Sequence, residues 1–242
     1  MTLPAREVSH RAGSSPAGLH QPRFPDAHLL SLNIGQPRRN PWKGLAATGI
    51  DKRPVRHSVA VTAPGPKGTG AVGLAGDRAH DVKHHGGADQ ALYAYAREDL
   101  DTWQDRLGRR LDDGACFGEN LTTVGLDVNG ALIGERWRIG TDVLLEVTCP
   151  RIPCVTFQGW LGEPGWLERF IEARKPGAYL RVIDEGSIRA GDAIEVVSRP
   201  EHDVTVALTF RAFTAEPELL PRLAVATALP DEAKALVRRR TS

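Results

Sequence analysis

Cys154 is the side chain whose setting most invites chemistry. It closes the run Cys149-Pro150-Arg151-Ile152-Pro153-Cys154. The two prolines fix φ, and Pro153 biases Ile152 toward an extended conformation, so the thiol sits on stiff backbone with Arg151 beside it in sequence. Positive charge favours the thiolate, the form that attacks electrophiles and binds metals. The other reading is a small buried hydrophobe, as most free cysteines are, and the run alone leaves both open.

A second concentration of reactive side chains lies between Gly76 and Tyr95. Asp77, Arg78, His80, Asp81, Lys83, His84 and His85 crowd against Gly86 and Gly87. The preceding Gly65, Gly68, Gly70 and Gly73 give a loop whose backbone can approach a ligand closely. Gly86 and Gly87 can adopt positive φ and expose N–H groups, and Arg78, Lys83 and the imidazoles add donors, which together suit a phosphate or another anion. Zinc is the competing ligand, since His80 and His84 are four apart, as on one helix face. The helix it needs would run into Gly86-Gly87, and no paired-cysteine or HExxH spacing is present, so zinc is set aside. Further on, Asn120 offers donors and an acceptor, enough to read a heterocycle edge or to bond its own turn.

These side chains need strands to hold them. Val143, Leu145, Val147 and Cys149 recur at period two, the mark of a half-buried strand that Pro150 ends. Ala131 to Ile139 supplies its hairpin partner, which delivers Cys154. Leu29 to Ile34 reads as a first strand, Gly35 to Lys43 as a loop, His57 to Val61 as a second strand and Gln90 to Tyr95 as another. Arg97 to Leu107 places Leu100, Trp103 and Leu107 on one helical face, and Trp166, Leu167, Phe170 and Ile171 form a second apolar stripe. Tyr179 to Ile183 and Ala193 to Val197 read as a hairpin closed by Pro200. Many short strands joined by glycine turns predict a mainly β fold with flanking helices, barrel-like, with a small helical tail. Residues 1–27, rich in proline and scattered charge, read as a flexible leader. Residues 28–200 form the β domain and 201–242 a small helical domain, with Pro230 opening its last helix. The basic end Arg238-Arg239-Arg240 reads as a solvated or dipole-matching helix terminus rather than a DNA-binding element.

Composition narrows the functional classes. Across 242 residues, 31 Lys and Arg face 30 Asp and Glu, a net charge of +1. That balance excludes the global basic field on which non-specific nucleic-acid binding relies, so any anion site is local. Three cysteines make no disulfide framework and fit a reducing compartment. With no apolar run of membrane-spanning length and no signal-peptide core near the start, the chain reads as cytoplasmic.

Five ordered motifs carry a resemblance: Gly76-Asp77; His85-Gly86-Gly87 with Ala91 and Tyr93; Phe117-Gly118-Glu119-Asn120-Leu121; Ile133-Gly134-Glu135; and Pro150-Arg151-Ile152-Pro153-Cys154. Together they resemble the MOSC domain family, named after the C-terminal domain of molybdenum cofactor sulfurase, in its bacterial YiiM-like branch. The resemblance spans residues 28–200, and the helical tail is similar to the three-helix domain that follows in that branch. It implies a mostly β barrel-like fold, the molybdenum cofactor (molybdopterin) and reduction of N-hydroxylated compounds such as hydroxylamino purines. Pyridoxal phosphate binding is a family-level alternative, as is a sulfur-carrying or cofactor-binding module without turnover. The family's metal-ligand cysteine falls on Cys154. Asp77 and His85 are expected among the catalytic groups, and Gly86, Gly87 and Asn120 as the lining of the cofactor or substrate pocket. Arg78, Lys83 and Arg151 are expected to act as counter-charges for the cofactor phosphate. Three cysteines cannot hold a four-cysteine cluster and no GxGxxG fingerprint follows a strand, so electrons are expected from a separate flavin or iron–sulfur protein. The remaining expected partner is a small-molecule substrate, with neither membrane nor nucleic acid.

Overall fold

The strand that leads to Cys154 lies near the middle of an eight-stranded mixed sheet. The computed structural model describes residues 27–112 and 116–241, so the expected leader lies outside the described residues apart from Ala27. In chain order the strands are β1 (His28–Gly35), β2 (Arg38–Arg39), β3 (Ala47–Thr48), β4 (Lys52–Val55), β5 (Val59–Val61), β6 (Leu92–Ala96), β7 (Leu121–Val124), β8 (Arg136–Ile139), β9 (Val143–Pro150), β10 (Ala178–Asp184), β11 (Gly186–Ile188) and β12 (Ile194–Ser198). The helices are α1 (Arg97–Leu107), α2 (Val155–Leu161), α3 (Trp166–Ala173), α4 (Val206–Thr214) and α5 (Asp231–Thr241), with 3-10 segments at Ala88–Gln90 and Pro217–Val225. The architecture is mainly β with flanking helices.

The sheet runs β12-β8-β9-β10-β6-β7-β1-β4. Its pairs are antiparallel except β6 with β7. It does not close into a barrel. It curls far enough that the free edge at the start of β1 meets the β12 end. There Leu29 N donates to Asp192 O at 2.9 Å, Ile194 N to Ala27 O at 2.8 Å and Gly191 N to Leu29 O at 2.7 Å, but no continuous ladder joins the two strands.

Two sequence expectations change. Tyr179–Ile183 and Ala193–Val197 do not form a hairpin, because the β8–β9 hairpin lies between β10 and β12 in the sheet. The intervening Gly186–Ile188 peels away to pair with β5. Nor is β9 half-buried, since all eight of its residues are buried. Val143, Leu145 and Val147 face the core as their spacing predicts. On the other face Glu146 accepts from Arg136 (2.9 Å) and Arg181 (2.7 Å), and Thr148 donates to Asp89 O at 2.6 Å. Buried polar groups are tolerated there because each has a partner.

Two apolar clusters hold the sheet. One is aliphatic and continuous from Leu29, Leu145 and Leu180 into the C-terminal helical region at Val206, Leu223 and Val237. The other is aromatic, built from Tyr95, Trp103, Phe117, Phe157, Trp166 and Phe170. Phe117 stands edge-on to Tyr95, Phe157 and Trp166 at 4.9–5.4 Å between ring centroids, the arrangement that ring quadrupoles favour. Among the described residues no helix is long and apolar enough to cross a membrane.

Candidate active site

A cleft of about 770 Å³, counted out to its mouth, opens on the side of the sheet where β9 ends. Three segments supply most of its walls, 40–52, 72–93 and the stretch from Arg151 to Thr156, and Gly118, Asn120 and Tyr179 complete them. Cys154, partly exposed, stands on the residue before α2 with extended backbone at φ −136° and ψ 166°. Residues 151–154 form an irregular link between β9 and α2 rather than a regular turn. Helix α2 itself was not legible, because β-branched Val155 and Thr156 are poor helix formers.

The Asp77 wall is a closed hydrogen-bond network. Asp77 Oδ1 accepts from the backbone N–H of Gly35 (3.0 Å) and Arg78 (2.9 Å), and Oδ2 accepts from Lys52 Nζ (2.5 Å) and Asn120 Nδ2 (2.6 Å). The Asp77 side chain is 1% exposed and that of Lys52 11%. A side chain at position 35 would put its Cβ 2.6 Å from Asp77 Oδ1, so glycine is what lets the carboxylate reach the strand. Asn120 also donates to Asn33 O (3.2 Å) and accepts from Tyr93 N (3.2 Å), which ties β1, β6 and the turn before β7 together. With both its oxygens committed to protein donors, Asp77 has the geometry of an anchor rather than of a free acid or base.

The Arg151 wall is different. Arg151 is 5% exposed. Its guanidinium lies 4.1 Å from the Phe157 ring centroid and 5.0 Å from that of Tyr93, and it donates to Phe117 O. Its Nε is buried without a partner, as is Oε1 of Gln90, which also lines the cleft. Burial works against its charge, but the neighbouring Tyr93, Tyr179 and Cys154 groups together hold the guanidinium above its ordinary value.

His85 lines the same wall and shares a hydrogen bond with the Tyr179 hydroxyl through Nδ1 at 3.3 Å. Burial, then the nearby Arg151 charge, pushes the imidazole down to about 4, so it is neutral near pH 7. Burial pushes the Tyr179 hydroxyl up to about 12 and that of Tyr93 higher still. His85 and the two tyrosines therefore keep their neutral forms over the physiological range. Asp81, at the rim, is held down to about 2. Burial raises it, but hydrogen bonds from Lys43 (2.5 Å) and His84 (2.9 Å) outweigh that.

Of the residues singled out from sequence, the cleft brings together Cys154, His85, Asp77, Arg78, Gly86, Asn120 and Arg151. Lys83 is exposed and does not line it. Gly87 also lies outside the lining. Its φ is +79°, as the glycine pair predicts, but its N–H donates to Ala71 O at 3.0 Å rather than standing free for an anion. Lys52, Gln90, Tyr93 and Tyr179 were missed as site residues. For Tyr179 the signal was present, since an amphipathic tyrosine in a strand carries a polar tip that needs a partner. Lys52 gave no signal, because its partner Asp77 is 25 residues away.

The match to the MOSC domain model runs over residues 81–195. Protein YflK of Bacillus subtilis is 33% identical over 76% of this chain and 79% of its own length. A protein named Reductase from Gibberella moniliformis is 33% identical over 84% of this chain, which spans about a third (35%) of that longer protein. The crystal structure of YiiM from Geobacillus stearothermophilus superposes with a TM-score of 0.71 at 27% identity, covering 89% of this chain and 100% of that one. With the cysteine link, the glycine-flanked histidine and the Asn120 turn arranged around one cleft, these matches place the chain in the MOSC domain family, among its YiiM-like members.

Proposed function

We propose that the protein is a molybdenum-cofactor-dependent reductase of N-hydroxylated compounds, working in this cleft with electrons from a separate flavin or iron–sulfur protein. The observation that carries the reading is the pairing, on one wall, of an accessible thiol with a buried guanidinium whose Nε has no protein partner.

The residues fit the cofactor. Among the described residues no group of three or more His, Cys, Asp or Glu could hold a metal ion. What the chain offers is one soft ligand, Cys154, which suits a metal whose other ligands arrive on an organic cofactor. Arg151 and Arg78 would hold the cofactor's phosphate through charge-assisted hydrogen bonds. Bound there, the cofactor would supply two-electron oxygen-atom chemistry.

The chain's own groups do the rest. The aromatic cluster and the Asp77–Asn120–Lys52 network fix the two walls, so the thiol and the guanidinium keep their spacing. Neutral His85, oriented by its hydrogen bond with Tyr179, would position a bound substrate through hydrogen bonding, and the two protons of the reaction would come from water. The overall change balances as R–NHOH plus two electrons and two protons giving R–NH2 and water. The name of the fungal relative supports a reductive direction.

The test is metal and pterin analysis of protein purified from a host that makes the cofactor, followed by reduction of a hydroxylamino purine with reduced methyl viologen. Stoichiometric molybdenum with steady turnover is expected. Full molybdenum occupancy without turnover would overturn the enzyme reading in favour of a carrier.

A further inference from the structure

Residues 36–56 carry six basic side chains. Asp51 pairs with Arg38 and Arg53, Asp81 with Lys43 and Asp77 with Lys52, so six cations face three carboxylates and a local excess of three positive charges remains, in a chain whose total is only +1. This segment forms a cleft wall through Asn40 and Ala47 to Lys52. It is fastened to the helix that follows the cysteine. Asn40 Nδ2 donates to Thr156 Oγ1 at 3.1 Å, the Arg38 guanidinium lies 5.2 Å over the Trp160 ring, and the Trp42 indole rests on Gly159. A Cβ at position 159 would come within 2.2 Å of that indole. Val155 and Gly159 are four apart on α2 and share a face, so Trp42 and Val155 are neighbours. Ile152 and Val155 flank Cys154 and are 45% and 48% exposed, and Trp42 is 38% exposed. These are three of the four large apolar side chains exposed among the described residues.

We infer that this rim, with Trp42, Ile152 and Val155 at its centre and Arg38, Arg39, Lys43 and Arg53 around them, is the docking face for an acidic electron-transfer protein. An aromatic anchor with two exposed aliphatic side chains beside a cluster of arginines and a lysine is the composition of a protein interface, where apolar contact holds the complex and charge steers the encounter. A nucleic acid would use the cations but has no need of an exposed aliphatic pair beside a thiol. The position also suits the task. A reduced flavin or iron–sulfur centre docked here would face the mouth of the cleft and pass two electrons toward the site, with two protons drawn from water. Local charge of one sign raises the arrival rate of an oppositely charged partner. The inference rests on the reductase reading only for its need of a donor, and the surface can be tested without turnover.

The experiment uses the loaded protein and an acidic bacterial flavodoxin as probe. Binding is measured by calorimetry at low salt and again at about 0.3 M salt, where screening is strong. Wild type is expected to bind, and added salt to weaken binding. Arg39→Glu is expected to raise the dissociation constant about tenfold, as loss of steering charge does. Trp42→Ser should weaken binding with little change in the salt dependence. In turnover, both variants should lose rate with reduced flavodoxin and keep the wild-type rate with reduced methyl viologen, which needs no docking face. No flavodoxin binding by wild type at low salt would overturn the inference. So would equal losses with both donors, or a short DNA duplex binding as tightly as flavodoxin at the same salt. Failure of wild type to turn over with methyl viologen would instead count against the reductase reading, while the binding arm still decides this one.

Discussion

The two walls of the cleft contrast in how they use their polar groups. Around Asp77 every oxygen has a protein donor, and the network knits β1, β4 and β6 together. Around Arg151 a buried guanidinium and a buried amide oxygen each keep an unmatched atom, and an imidazole is kept neutral. A closed network stabilises the fold and has nothing left for a ligand. An open one is unfavourable for the empty protein and becomes favourable when a ligand completes it. The difference separates charged side chains whose roles the sequence alone does not tell apart, Asp77 after a glycine and Arg151 between two prolines.

Four outcomes would break or sharpen this contrast. The largest concerns the thiol: Cys154→Ser should lower reductase activity more than about 100-fold, because a hydroxyl is a poor soft-metal ligand. The apo melting curve should barely move. Retention of molybdenum and full activity by the variant would remove Cys154 from the site. Next, Asp77→Ala should destabilise the apo protein by about 3 kcal/mol in urea unfolding, since it strands a nearly buried lysine. Arg151→Met should destabilise the apo protein less than Asp77→Ala does, because an unbranched apolar side chain removes a buried charge that has no acidic partner among the described residues, at the cost of its contacts with Phe117 O and the Phe157 and Tyr93 rings. The same variant should lose pterin on dialysis. The reverse pattern would exchange the roles of the two walls.

The third outcome is a pH dependence. His85 titrates near 4 in the folded chain against an ordinary 6.5. Between those values the unfolded chain binds the proton first, so stability falls as pH drops from 6.5 toward 4. The slope is about 1.4 kcal/mol per unit at most. His85→Gln should flatten it in urea unfolding at pH 7 and pH 5. Asp81, held near 2, contributes a loss only below the ordinary carboxylate value of 3.8, outside that window. An unchanged slope in the variant would mean that His85 is not buried as described. The smallest effect separates two cations that the sequence could not distinguish. Arg78→Ala should reduce pterin retention by about tenfold, the worth of one charge-assisted hydrogen bond. Lys83→Ala, exposed and outside the cleft lining, should leave retention within about twofold.

Local sequence carried much of this. The proline-braced link gave Cys154 its setting, α1 spans the same Arg97–Leu107 that its apolar spacing predicts, and β1 and β6 fall within a residue or two of their patterns. These readings succeed because period and proline geometry act within a few residues. Pairing across distance was not legible. The partner of Lys52, the separation of β10 from β12 and the burial of both faces of β9 all depend on which strands become neighbours. Whether a donor is free is also beyond a glycine motif, as the Gly87 N–H shows by bonding Ala71.

The incomplete seam between the first and last strands has a consequence for how the molecule breathes. Regular ladders bind most of the sheet cooperatively, so their amides should exchange hydrogen only through large openings. The seam's backbone hydrogen bonds come from the N–H groups of Leu29, Gly191 and Ile194 around an isolated bridge between His28 and Ala193, rather than from a regular ladder. Those three protons should exchange with solvent well before those of Val147 or Leu180, which lie in the interior strands. The curled sheet would then have one preferred line along which to loosen, at the end of β1 away from Gly35 and the Asp77 network.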